Sequence, residues 1–195
     1  MKNNFSEQYY KSVNYVNYLQ REQKYKKLAK ELISLLENIC LINKDSQILD
    51  FGCAVGFLTK SIFDLGYQNI YGVDVSDWAL EIAKNYNLSF SKDVNKKSDV
   101  MIVLDVFEHM DDINIKKSII KAEPSIIICR IPVCKNKGED FYLQVSKKDI
   151  THINCKTKQQ WKSFFKKNGY STCLHLNLNT IYDSEGVFCA IFIKS

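Results

Sequence analysis

The chain has 195 residues, of which 46% are hydrophobic and 25% are charged, a composition typical of globular proteins. A chain of this length buries roughly 70% of its unfolded surface, which is enough for one core. No apolar run approaches the ~18 residues of a membrane span, and the first ten residues, MKNNFSEQYY, lack the apolar segment of a signal peptide. We therefore predict a single cytoplasmic domain.

The net charge of +5 comes from lysine, because only Arg21 and Arg130 are arginines. The lysines are spread along the chain and mixed with acids, which is typical of a solvated surface and does not favour a nucleic-acid partner. The number of cysteines, seven, is odd, and the sequence contains no Cys-x-x-Cys pair. We expect them to be buried, reduced thiols and not a metal or disulfide framework.

The hydrophobic pattern predicts a helical extension followed by alternating strands and helices. Residues 8 to 40 carry apolar residues at helical spacing. The predicted strands are QILDFGC, NIYGVDV, LSFSKDV, DVMIVLDV, PSIIICRIPV, STCLHLNLN and GVFCAIFIKS. The predicted helices are VGFLTKSIFDLG, which Gly66 can end, DWALEIAKNYN, which Ser76 can cap, DDINIKKSIIKAE and KTKQQWKSFFKKNG.

This order predicts an α/β fold. Near-continuous apolar strands separated by helices indicate a mostly parallel, seven-stranded sheet with helices on both faces. The last two strands are joined only by a turn, so they should form an antiparallel C-terminal hairpin. We expect one domain over 1–195, with 1–40 as a helical extension or lid and 41–195 as the core.

The stretch ILDFGCAVGFLTKSI predicts a ligand loop after the first strand, where α/β folds bind cofactors. It is not a phosphate P-loop, because no Lys follows Gly56 directly. Phe57 occupies the place where a dinucleotide loop needs a small residue. An acid followed by a G-x-G-x-G pattern, here Asp50 to Gly56 with Ala54 in the middle, is the adenosylmethionine type of loop. Ala54 is compatible with it if its φ is negative, whereas a required positive φ would rule it out.

Four blocks together resemble the class I S-adenosylmethionine-dependent methyltransferases, the broad family that includes the ubiquinone-biosynthesis O-methyltransferases. They are ILDFGCAVGFL, YGVDVSDWALEIAK, FSKDV and DVMIVLDVFEHM. The resemblance covers about residues 47 to 170. It implies a Rossmann-like fold, S-adenosylmethionine as the cofactor and S-adenosylhomocysteine as its product.

The resemblance also implies a set of cofactor residues. Asp74 takes the place of the acid that binds both ribose hydroxyls, and its position 22 residues after Gly52 independently suits a ribose-binding carboxylate. Asp93 takes the place that contacts the adenine amino group. Arg21, in the extension, can pair with the methionine carboxylate. The complete predicted set is Asp50, Gly52, Cys53, Ala54, Gly56, Asp74, Val75, Asp93, Val94, Asp105, Tyr10 and Arg21.

The catalytic candidates are Glu108 and His109, directly after the fourth strand, and His152, in a D-x-T-H setting before the late helix. A base is needed only for an acceptor that is protonated at pH 7. Each histidine has an alternative interpretation as a structural residue that fixes its loop.

Metal binding is a competing hypothesis, and the favoured prediction contains no metal ligand. Asp105, Glu108, His109 and His152 are similar to the metal-binding set of the small-RNA 3′-terminal 2′-O-methyltransferases, although Asp105 replaces the first Glu of that set.

The prediction for function is methyl transfer to oxygen or nitrogen of a small molecule such as a sugar, lipid or metabolite. The alternatives are metal-assisted methylation of a terminal RNA ribose and non-catalytic binding of adenosylmethionine.

Overall fold

The computed structural model describes residues 5–11 and 17–195. The chain divides into two compact units, Met1–Asn95 and Lys96–Ser195. The prediction of a single domain with a lid at 1–40 stays a prediction.

The first unit contains three parallel strands in the order β3-β2-β1, with Ile48 of β1 opposite Ile70 of β2. The strands are β1 (Ile48–Phe51), β2 (Ile70–Val73) and β3 (Phe90–Ser91). The helices are α1 (Glu7–Tyr10), α2 (Glu22–Asn38), α3 (Phe57–Asp64) and α4 (Asp77–Ala83). Both four-residue strands, β1 and β2, are buried along their whole length, as their apolar sequences predict.

The predicted cap of α4 and the predicted end of α3 are confirmed, whereas α4 ends at Ala83, earlier than predicted. The Ser76 hydroxyl accepts a hydrogen bond from the Ala79 N–H at 3.1 Å, which caps α4. Gly66 follows the end of α3 with a φ of 93°, a conformation that glycine adopts without strain.

The extension is less continuous than its pattern predicts. Residues 18–20 form a separate 3-10 turn after Asn17, which is left-handed with a φ of 59°, and α2 begins only at Glu22. Within α2 the predicted apolar face is buried. Its buried residues are Leu28, Ala29, Leu32, Ile33 and Leu36.

The second unit contains four strands in the order β4-β5-β7-β6. The strands are β4 (Val100–Leu104), β5 (Ile126–Pro132), β6 (Thr172–His175) and β7 (Val187–Ile193). The helices are α5 (Asp112–Ala122), α6 (Gln144–Lys147) and α7 (Lys158–Lys167). Strands β4 and β5 are parallel, whereas β7 is antiparallel to both β5 and β6, which confirms the predicted C-terminal hairpin.

The seven strands belong to a mostly parallel sheet with an antiparallel C-terminal pair and helices around it, so the predicted Rossmann-like α/β fold is confirmed. All seven cysteines are free thiols, and four of them are buried, namely Cys53, Cys129, Cys134 and Cys189. Among the residues described, no helix is long and apolar enough to cross a membrane.

Candidate functional site

The loop between β1 and α3 turns sharply through three left-handed residues. Gly52, Ala54 and Gly56 have φ values of 80°, 48° and 82°. The N–H groups of Gly52 and Cys53 both donate to the Val73 carbonyl, at 2.7 and 3.0 Å. The loop is therefore held at the end of β2 by backbone hydrogen bonds.

The expectation of a negative φ at Ala54 is wrong. A left-handed conformation costs an L-residue about 1–2 kcal/mol because its Cβ approaches the following carbonyl. Here the Ala54 N–H donates to Asp74 Oδ2 at 2.8 Å, and this bond is buried. A buried bond to a carboxylate contributes about 1.5–3 kcal/mol, which offsets the strain. The expectation that a positive φ at this position rules out an adenosylmethionine loop is therefore also wrong.

Asp74 is 8% exposed and lies directly after β2. Besides the Ala54 N–H, it accepts the Ser76 N–H on Oδ1 at 2.8 Å. Burial raises the pKa of Asp74, while these backbone donors oppose the rise. A carboxylate has about four lone-pair positions, so its two oxygens can still accept hydroxyl donors such as those of a ribose. Val75, the next residue, is 56% exposed and offers an apolar side chain beside this carboxylate.

Asp50, at the end of β1, is buried and accepts a hydrogen bond from the Thr59 hydroxyl at 2.6 Å. Burial, reinforced by the negative charge of Asp74, raises the pKa of Asp50 to about 7. Thr59 belongs to the site, but the sequence analysis did not select it. No motif marks it, because its partner lies nine residues earlier, on a strand.

The described N-terminal residues pack against the loop. The Tyr10 ring stacks on Trp78 with centroids 5.1 Å apart, and the Tyr18 ring stacks on Phe57 at 6.1 Å. The guanidinium of Arg21 lies 5.6 Å from the Tyr18 ring centroid. Tyr10 is therefore in the aromatic cluster that covers the loop, and Arg21 lies at the edge of that cluster.

The other predicted cofactor residues differ in exposure. Asp93, after β3, is exposed, while the side chain of Val94 is buried. Asp105, after β4, is left-handed with a φ of 57° and forms an ion pair with Arg130. Arg130 therefore has a structural role in this ion pair. The sequence drew attention to Arg130 only because arginine is rare in this chain.

In the second unit, the three catalytic candidates lie together. Glu108 and His109 are in the 3-10 turn after β4, and His152 reaches them from the loop before α7. The two imidazole rings are 4.6 Å apart, and His152 Nε2 is 4.0 Å from Glu108 Oε1. Each residue offers one possible metal-ligand atom, and these three atoms lie within 4.8 Å of one another.

Burial sets the protonation of this cluster. Glu108 is fully buried, and neither carboxylate oxygen has a hydrogen-bond partner among the described residues. Burial, followed by the charge of Asp105, raises the pKa of Glu108 well above its ordinary value. Burial and the neighbouring His152 lower the pKa of His109 to about 4, and burial also lowers the pKa of His152. Both imidazoles are therefore neutral at pH 7.

The histidines are held by neighbours that sequence reasoning did not select. Thr151 Oγ1 lies 2.9 Å from His109 Nδ1 and donates to Asp149 Oδ1 at 2.5 Å. Asp149 Oδ2 lies 3.7 Å from His152 Nε2. Asp149 and Thr151 are the first and third letters of the D-x-T-H pattern, so a signal for them was present.

Comparison with known proteins identifies the family. The family model described as "Methyltransferase domain" matches residues 19–175. No curated protein matches this sequence.

Several solved structures share the fold. Magnesium protoporphyrin IX methyltransferase from Synechocystis PCC 6803, solved with bound S-adenosylhomocysteine, has a TM-score of 0.63 and 18% identity over 96% of this chain and 92% of that one. The methyltransferase domain of bacterial CtHen1-C has a TM-score of 0.60 and 20% identity over 88% and 98%. An S-adenosylmethionine-dependent methyltransferase from Archaeoglobus fulgidus has a TM-score of 0.61 and 15% identity over 91% and 100%.

The fold and the loop with its buried acid are those of the class I S-adenosylmethionine-dependent methyltransferases. The chain belongs to the methyltransferase-domain family, and it is a methyltransferase. S-adenosylmethionine is accordingly its cofactor. The first unit fits this cofactor, since the buried Asp74 carboxylate retains acceptor positions beside a tightly turned backbone loop.

The strain at Ala54 predicts that Ala54→Gly raises the free energy of unfolding by about 1 kcal/mol. The matched control is Ala83→Gly, because Ala83 has an ordinary helical φ of −60°, and this change should lower stability by about 1 kcal/mol or more. Urea unfolding of both variants measures the difference. An equal loss of stability in the two would contradict a strained Ala54.

The raised pKa of Asp50 predicts a pH dependence of stability. Between the unfolded value near 3.8 and the folded value of about 7, the folded state binds the extra proton, so stability falls as pH rises through this window. Asp50→Asn removes this cost. Relative to the wild type, the variant should gain about 3 kcal/mol between pH 5 and pH 8.

Urea unfolding at the two pH values checks this expectation, with Asp45→Asn, an exposed acid, as the matched substitution. Parallel pH profiles of the wild type and Asp50→Asn would exclude the raised pKa.

Proposed function

We propose that this methyltransferase transfers the methyl group of S-adenosylmethionine to a hydroxyl oxygen of a small-molecule acceptor. The observation that carries the proposal is the cluster of the buried Glu108 with the half-buried His109 and His152. A nitrogen acceptor that is neutral at pH 7 needs no group to take its proton, whereas a hydroxyl does.

The cytoplasmic location predicted from the sequence stays a prediction.

The first unit binds the cofactor in this proposal. Asp74 accepts the ribose hydroxyls, and Asp93 accepts the adenine amino group. The loop from Gly52 to Gly56 lies along the cofactor, while Tyr10 and Arg21 cover it, with Arg21 as the partner of the methionine carboxylate. Asp50, Cys53, Val75 and Val94 of this unit, together with Asp105 of the second unit, complete the set that the resemblance implies.

The reaction is an in-line displacement. The bond between sulfur and the methyl carbon breaks as the bond between the acceptor oxygen and that carbon forms. S-adenosylmethionine, when bound, would keep the electron pair of the broken bond as the thioether of S-adenosylhomocysteine, and the neutral imidazole of His109 would pass the hydroxyl proton on to solvent. The cofactor is already activated, so the protein contributes mainly the positioning of the two reactants.

The cluster in the second unit acts on the acceptor hydroxyl. His109, with a pKa of about 4, is a weak general base at neutral pH when it acts alone. Its neutral ring can still accept a hydrogen bond from the hydroxyl and orient it. His152 and Glu108 complete the acceptor site in this proposal.

Binding of S-adenosylhomocysteine tests the role of Asp74. Asp74→Ala should abolish the thermal shift given by S-adenosylhomocysteine. Asp74→Asn, which keeps the size of the side chain, should weaken calorimetric affinity at least about ten-fold, because charge-assisted hydrogen bonds contribute about 1.5–3 kcal/mol. The exposed Asp77→Ala is the control and should keep wild-type affinity. Unchanged affinity in Asp74→Asn would refute the ribose assignment.

A second candidate function is metal-assisted transfer to a ribose hydroxyl at the end of an RNA. One carboxylate and two neutral imidazoles are a donor set that divalent Mn²⁺, Fe²⁺ or Zn²⁺ accepts. The unpartnered oxygens of Glu108 support this candidate, because a buried carboxyl group without donors must either hold a proton, as its raised pKa indicates, or be neutralised by a cation. The CtHen1 domain that shares this fold is a further reason to test it. Asp105 is paired with Arg130, so the proposed ligands are Glu108, His109 and His152.

Calorimetry of the protein with Mn²⁺ and with Mg²⁺ separates the two candidates. The metal candidate predicts one bound Mn²⁺, lost in His109→Ala and His152→Ala and weakened at least about ten-fold in Glu108→Gln. His175→Ala is the matched control, since His175 lies in β6 and pairs with Asp183. No heat of binding would eliminate the metal candidate.

Production of S-adenosylhomocysteine over a panel of sugar, lipid and metabolite acceptors tests the first candidate independently. Turnover with a hydroxyl acceptor in the presence of a chelator supports it. Tight binding of S-adenosylhomocysteine without turnover of any acceptor, RNA included, would indicate a non-catalytic binding protein.

A further inference from the structure

The second unit carries a surface on which exposed isoleucines and unpaired lysines alternate. On α5 the side chains of Ile113 and Ile120 are 66% and 59% exposed. In the loop before α7, Ile150 and Ile153 are 95% and 66% exposed. Large aliphatic side chains this exposed are not explained by the packing of the fold, and several close together mark an interaction surface.

The two segments are held side by side. The Asn154 amide donates to the Met110 carbonyl at 2.8 Å and to Asp112 Oδ1 at 3.1 Å. Lys156 forms an ion pair with Asp112 at 2.7 Å. Ile153 directly precedes Asn154 and Ile113 directly follows Asp112, so the exposed side chains of the loop and of α5 lie next to these contacts.

Helical spacing places the α5 residues on one face. Ile113 and Ile120 are seven residues apart, with Lys116 and Lys117 between them, on the side opposite the buried Ile115 and Ile119. The segment from α6 through the following loop, residues 145–153, also combines exposed aliphatic side chains with exposed lysines. We call the whole set the basic–aliphatic surface, and its members are Ile113, Lys116, Lys117, Ile120, Lys121, Val145, Lys147, Lys148, Ile150 and Ile153.

The charge of this surface is positive because its five lysines outnumber the acids beside them. Asp112 pairs with Lys156, Asp111 caps α5 through the Asn114 N–H, and Asp149 accepts from Thr151. The lysines of the surface are exposed and have no ion-pair partner within residues 5–11 and 17–195. An anionic partner therefore meets a net positive charge on this surface.

We propose that the basic–aliphatic surface docks on an anionic phospholipid bilayer. Lysines attract the acidic headgroups, while isoleucine and valine side chains enter the apolar layer below them. Nucleic-acid surfaces instead rely on arginine and on aromatic rings that stack on bases, and this surface has neither. The inference is independent of the acceptor and of the metal, because it concerns docking alone.

Sedimentation with vesicles tests the proposal without cofactor or acceptor. The protein should bind vesicles of phosphatidylcholine with phosphatidylglycerol, bind vesicles of phosphatidylcholine alone much more weakly, and be released by high salt. Lys147→Glu with Lys148→Glu should weaken binding at least about ten-fold, since each lysine near an anionic surface contributes roughly five-fold. Ile150→Asp with Ile153→Asp should weaken it similarly.

Two control pairs match these changes elsewhere in the unit. Lys166→Glu with Lys167→Glu alters the same charge on α7, and Leu174→Asp with Tyr182→Asp alters two other exposed apolar residues. Both should keep wild-type binding. Because all substituted side chains are exposed, the variants should remain folded, which thermal unfolding checks.

Two results would overturn the proposal. One is absence of binding to the anionic vesicles, in which case binding of an RNA oligonucleotide or self-association through this surface would identify another occupant. The other is an equal loss of binding in the control pairs.

Discussion

The buried carboxylate of Asp74 determines the backbone of the first ligand loop. Its Oδ2 atom accepts the N–H of the left-handed Ala54, and its Oδ1 atom accepts the Ser76 N–H at the start of α4. Ser76 in turn caps α4 and donates its hydroxyl to the Phe5 carbonyl. One side chain thus fixes the loop and the helix after β2, and through Ser76 it connects them to the N-terminal segment. The proposed binding of the cofactor by the first unit depends on this arrangement.

Much of the fold could be predicted because local signals and burial agree. Strands such as VMIVL are apolar throughout and are buried. Ser76, whose side chain can cap a helix, marks the start of α4. The position of β7 between β5 and β6 is different, since it depends on pairing between distant strands that no local pattern contains. The break at Asn17 was not predicted, because the helical spacing of polar and aromatic residues continues through this turn in the sequence.

The candidate site was predictable as residue types but not as geometry. Sequence spacing located Asp74, whereas the positive φ of Ala54 follows from a hydrogen bond between residues twenty apart. Similarly, adjacency of Glu108 and His109 is visible in the sequence, but the approach of His152 depends on a loop more than forty residues later. The complete burial of Glu108 follows from that same packing, and it is the burial that leaves its carboxylate without a donor.

A crystal structure with S-adenosylhomocysteine tests the central claim most directly, which is that Asp74 organises the loop and binds the ribose. The account predicts both ribose hydroxyls within hydrogen-bonding distance of the Asp74 carboxylate, with Ala54 still at positive φ and its N–H still on Asp74. A ribose bound away from Asp74, or an Ala54 that moves to negative φ, would contradict it.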